Sequence, residues 1–149
     1  MKKLMMIPLM LFVFALAGCS VSFDTGLDFE PDVSKVEYFA EVAEEMGDAF
    51  SAAAVTFKEL AEKTSLSESD QKTIELEIEQ LREAINQFKA TEAPFLMKTA
   101  KKAVAKKLNK RDEKMAKIQE RAKNGEANKE DLELLIDLVS DDIEIHLFK

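Results

Sequence analysis

From residue 32 onward, apolar side chains recur at steps of three and four in four successive stretches, and that spacing restricts the chain to helices packed on one another. In the first stretch Val36, Phe39, Ala43, Met46, Phe50, Ala53, Phe57 and Leu60 form a seam sustained over about three and a half heptads. Asp32 is placed to cap its start and Thr64-Ser65 to end it, which gives roughly 45 Å of helix.

A second helix begins near Ser65 or Ser67, each followed three residues later by an acid, Glu68 or Asp70, in the spacing of a capping box. Ile74, Ile78, Leu81, Ile85 and Phe88 make its seam, and Leu76 alone lies off it. Pro94 has no amide hydrogen, and its ring clashes with the carbonyl four residues back, so a helix through Ala90 breaks there. Thr91 reads as a new cap, with Pro94 tolerated in the first turn of a third helix from about Glu92 to Lys123. The third seam, Met97, Val104, Leu108, Met115, Ile118 and Ala122, leaves Lys101 and Arg111 at two core-like positions. A buried guanidinium must be paired, so Arg111 calls for an acid on a neighbouring helix or for exposure at a bundle end.

Asn124-Gly125 is a left-handed helix stop, and Asn128 followed by Asp131 starts a fourth helix with Leu132, Leu135, Ile136, Val139 and Ile143 on its apolar face. Residues Ile143 to Phe148 alternate with period two as well as fitting a helix. A lone strand has no partner in a helical domain, so helix is the better reading, whereas an extended form would suit pairing with a strand of another protein. The expected fold is all-α, an antiparallel four-helix bundle with coiled-coil-like seams and short connections, with a three-helix arrangement in which one long helix bends across Pro94 as the alternative. Seams of this length can also close between two copies, so a homo-oligomer stays open.

Ahead of the helices, Lys2 and Lys3 precede an uncharged run from Leu4 to Ala17 that ends in Leu16-Ala17-Gly18-Cys19, the chain's only cysteine. The run is too short to span a membrane comfortably and fits a signal peptide. It resembles the lipobox of bacterial lipoprotein precursors. The resemblance implies cleavage after Gly18 and acylation of Cys19, hence membrane attachment in a bacterial cell envelope. Ser20, where some members carry an aspartate, implies sorting in Gram-negative members to the outer membrane, facing the periplasm. Each buried CH₂ contributes about 0.8 kcal/mol, so one chain holds weakly and two or three hold stably. Residues 1–18 are thus read as signal peptide, 19–31 as lipidated cysteine and tether, and 32–149 as the helical bundle domain. The twelve residues Ser20 to Pro31 span at most about 40 Å, which keeps the domain near the bilayer. Phe23, Leu27 and Phe29 are unusual in such a tether.

The formal net charge is −8, and removing Lys2 and Lys3 makes the mature chain more acidic still, a poor match for nucleic acid. With Cys19 committed to lipid no disulfide is available, so roughly 130 residues must be held by burial alone. Residues 92–123 nevertheless carry eleven basic against four acidic side chains, a net of +7, while the other three helical stretches are each net acidic. Such a helix can be charge-matched to its neighbours, with each exposed pair contributing about 0 to 1 kcal/mol. Alternatively Lys98, Lys101, Lys102, Lys106, Lys107, Lys110, Arg111 and Lys114 form a stripe for lipid headgroups, lipopolysaccharide phosphates or an acidic partner.

Catalytic chemistry finds little footing. His146 is the only histidine, and with Asp142 it supplies two metal ligands where zinc needs more. Asp24-Thr25-Gly26 resembles the aspartic protease triplet, but it precedes a helical domain and has no second copy. Glu41 with Glu45, and Asp137 with Asp141, are acidic pairs one turn apart that suit a solvated face. No cofactor is called for. The reading is a non-enzymatic, lipid-anchored interaction or structural module with an envelope protein partner, alternatively a binder of anionic envelope material, or an inhibitor or immunity-type lipoprotein.

Overall fold

The structure, a computed structural model, describes residues 33–140. Asp32, the leader, Cys19, the tether with its Asp-Thr-Gly triplet, the Ile143 to Phe148 segment, Asp142 and His146 lie outside the described residues. The described residues are all-helical: α1 spans Val33–Ala61, α2 Glu68–Ala90, α3 Lys98–Lys123 and α4 Lys129–Ser140, with a single 3-10 turn at Phe95–Met97. They form a helical bundle in which α1 packs on α2 and α4, α2 packs on α3, and α3 touches α4 lightly.

The seams read from the sequence are the core. Phe39, Ala53, Phe57, Ile74, Ile78, Ile85, Phe88, Leu108, Met115, Leu132 and Leu135 are fully shielded from water. Burying each of the larger ones contributes about 1.5–3 kcal/mol. Val36 and Met97, at the edges of their seams, and Ile136 of α4 are half-buried, and Leu76 is exposed. The ring of Phe39, near the start of α1, meets that of Phe88, near the end of α2, with centroids 5.5 Å apart. Among the described residues every buried side-chain nitrogen and oxygen has a hydrogen-bond partner.

Local signals set most helix ends. Ser67 caps α2: its Oγ accepts from the Asp70 amide at 3.2 Å, and the Ser67 amide donates to Asp70 Oδ2 at 2.8 Å. Lys63 donates to the same carboxylate at 2.5 Å. That ion pair, with the Ser67 bonds, lowers the Asp70 pKa from 3.8 to about 2. Asn128 and Asp131 repeat the box at α4, with reciprocal bonds of 2.9 and 3.0 Å. Gly125, at φ 72°, ends α3: its amide donates to the Ala122 carbonyl and that of Glu126 to the Arg121 carbonyl, the Schellman pattern.

Three boundaries differ from those expected. α1 ends at Ala61, ahead of Thr64-Ser65. Thr91 does not cap α3; its amide and its hydroxyl both donate to the Gln87 carbonyl, closing α2. α3 starts at Lys98 rather than Glu92. The cause is Pro94, which disfavours helical backbone in the residue before it and is itself extended at φ −54°, ψ 153°, so the helix restarts only after the 3-10 turn.

Candidate functional site

The basic helix α3 is the feature that neither the core nor the caps account for. Its seam, Val104, Leu108, Met115, Ile118 and Ala122, faces the bundle, which turns the i, i+4 series Lys98, Lys102, Lys106, Lys110 and Lys114 outward. All five are exposed, as is Lys107. Among the described residues none of these six lysines makes an ion pair. Two ion pairs among the described residues tie α3 to its neighbours, Arg82 Nε to Asp112 at 2.7 Å and Arg121 Nη1 to Asp131 at 3.1 Å. Pairing of the lysines with the acidic helices is therefore not how α3 is held in place.

The other two members of the eight-residue stripe turn inward. Lys101 is half-buried, and its Nζ donates to the Lys89 carbonyl at 2.8 Å and to that of Thr91. These are carbonyls at the end of α2, where a cation is favoured by the helix dipole. Arg111 is buried, and its Nη1 donates to the Leu138 carbonyl at 2.7 Å in the last described turn of α4. Lys101 thus reaches the C-terminal end of α2, and Arg111 ties α3 to the last described turn of α4. The bond to Leu138 is to main chain, and Asp141 and Asp142, the next acids along, lie outside the described residues.

Two surface depressions flank α3. One, of about 390 Å³, is lined by Lys89, Glu92, Ala93, Lys98, Lys101 and Lys102 beside the α2–α3 connection. The other, of about 420 Å³, lies between the start of α2 and the end of α3, with Glu68, Glu75, Lys72 and Lys123 around it. The first collects four basic side chains against one acid and is the better anion site; the second mixes signs. Among the described residues no three His, Cys, Asp or Glu side chains gather as a metal site. Glu41 and Glu45 are exposed, and Glu45 accepts from Gln87 Nε2 at 3.4 Å. No helix among the described residues is long and apolar enough to cross a membrane.

Two features had escaped the sequence reading. Gln71 is buried and clamps the α3–α4 connection, its Nε2 donating to the Ala127 carbonyl at 2.8 Å and its Oε1 accepting from the Ala127 amide at 3.1 Å. Its position three residues before Ile74, on the seam, was the signal. Phe95 and Leu96 project from the 3-10 turn, 69% and 84% exposed. Their mark in the sequence is an apolar pair directly after Pro94.

Neither a curated protein nor a solved structure matches the chain. Residues 38–140 do match a family profile, covering most of the helical body, and the chain belongs to the Family of unknown function (DUF6376).

Proposed function

We propose that the protein is a non-enzymatic, lipid-anchored module of a bacterial envelope, fixed through Cys19 and engaging an envelope partner with its helical domain. The observation that carries the non-enzymatic half is how the polar interior is used. Gln71, Thr91, Arg111, Gln119 and Asp131 are buried, and each has a hydrogen bond to a neighbouring backbone or side-chain group. Such bonds hold helices in register, and among the described residues these buried polar groups are engaged in packing rather than gathered as acid, base and nucleophile. The architecture we propose with it is an antiparallel up-and-down four-helix bundle with coiled-coil-like seams. Support comes from the short connections and from the packing of α1 on α2, α2 on α3 and α4 back on α1.

The six exposed lysines of α3 favour a second reading, a domain that also binds anionic envelope material. Cell fractionation with in-cell crosslinking tests the first: the wild-type chain should sit in the envelope with a crosslinked partner, and Cys19→Ala should lose both. Recovery of wild type and Cys19→Ala alike in the soluble fraction would overturn it. Salt-sensitive cosedimentation of the full chain with anionic vesicles tests the second.

A further inference from the structure

The two most exposed large apolar side chains among the described residues, Leu96 and Phe95, are adjacent in one turn. That turn is held firmly, since Pro94 fixes its entry and the Met97 amide donates to the Pro94 carbonyl at 2.8 Å. Behind it opens the lysine-rich cleft, where Lys98 and Lys102 are exposed and Lys101 is fixed by the Lys89 and Thr91 carbonyls. An apolar tip backed by ammonium groups matches the profile of an anionic bilayer, with acyl chains outermost from the protein and phosphates next.

Position supplies the second argument. The contact of Phe39 with Phe88, and that of Glu45 with Gln87, put the start of α1 at the same end of the bundle as the end of α2. The 3-10 turn follows α2 after only Thr91 to Pro94, so it shares an end with Val33, the residue to which the chain from Cys19 leads. A tether of at most about 40 Å therefore enters the domain at the end that carries the tip.

We infer that the Phe95–Met97 turn is a membrane contact: Leu96 enters the interface of an anionic bilayer while Lys89, Lys98 and Lys102 engage lipid phosphates. This rests on anchoring through Cys19, which holds the tip beside the bilayer. The contact fixes the domain's orientation and leaves the far end of the bundle, with the α1–α2 and α3–α4 connections, facing away from the membrane.

The chain has no tryptophan, so Leu96→Trp introduces a single reporter at a position that tolerates it. Full-length Leu96→Trp is reconstituted in phosphatidylglycerol–phosphatidylcholine vesicles with brominated acyl chains. Val55→Trp, also at an exposed position and about 24 Å along α1 from Phe39, is the depth control. We expect quenching and a blue shift for Leu96→Trp, neither for Val55→Trp, and weaker quenching in pure phosphatidylcholine. Adding Lys98→Gln or Lys102→Gln should lower the membrane-engaged to free ratio of the tip about fivefold each. Emission of Leu96→Trp in anionic vesicles no more quenched than that of Val55→Trp, in a sample whose Cys19 is acylated by mass, would overturn the inference and leave the anchor standing. Unmodified Cys19 would overturn the anchor instead, and quenching in that sample would still support the tip while its absence would refute it.

Discussion

The clamp between Gln71 and Ala127 offers the sharpest test of how the helices are held. Replacing Gln71 with methionine keeps the length and apolar stem of the side chain and removes both hydrogen bonds, of 2.8 and 3.1 Å, to Ala127. Ala127 is only 6% exposed, so its amide and carbonyl would be stranded away from water. Each stranded group costs about 1–3 kcal/mol, and part of that returns because the α3–α4 connection can shift toward solvent; a net loss of about 2–4 kcal/mol follows. For a domain near 100 residues, 1 kcal/mol moves Tm by roughly 4 °C, which puts the expected fall at about 8–16 °C. Circular dichroism melts give the midpoint, and amide exchange localises the effect: Ala127 should lose protection while the amides of Ile78 and Leu81, in the middle of α2, keep theirs. A Gln71→Met protein melting within about 2 °C of wild type would refute the claim that this clamp holds the connection.

Three further substitutions probe separate parts of the structure. Arg111→Met, which removes the charged donor to the Leu138 carbonyl, should cost about 1.5–3 kcal/mol in thermal unfolding, and an unchanged melt would mean that the guanidinium contributes nothing to α4 docking. Gly125→Ala meets no side chain or backbone within 4 Å, so its expected cost of about 1 kcal/mol comes from the φ of 72° alone; an unchanged chemical denaturation midpoint would contradict that. Because the Asp70 pKa is lowered from 3.8 to about 2 on folding, its contribution is present above the unfolded value and is lost as pH falls through that window. Asp70→Asn should therefore flatten the fall in melting temperature between about pH 4 and pH 2, and a slope equal to that of wild type would exclude the Lys63–Asp70 pair as its source.

What could be read from the sequence was local in origin. The seams of α1 and α2 followed from apolar residues repeating with the helical period, and the Ser67–Asp70, Asn128–Asp131 and Asn124-Gly125 signals act within five residues of themselves. The start of α3 was misplaced because Pro94 restricts the residue before it as well as its own amide, which turns Thr91 into the end of α2. The inward-turned cations were visible as charges on a seam, but the Lys89, Thr91 and Leu138 carbonyls that they reach are main-chain groups, which carry no side-chain signature. Gln71 meets a residue 56 positions away, and that pairing exists only once α2 and the α3–α4 connection are packed. At the candidate site, the lysines of α3 were evident from composition. The sorting of Lys101 and Arg111 away from the outward six required the bundle.

Anchoring through Cys19 is the claim on which the proposed role turns, and the mass of the N-terminal peptide from protein extracted from its own membranes tests it most directly. We expect a peptide that starts at Cys19 and carries at least two fatty acyl chains, with residues 1–18 absent. A peptide that retains Met1 to Gly18, or one whose Cys19 thiol reacts freely with an alkylating reagent, would contradict it.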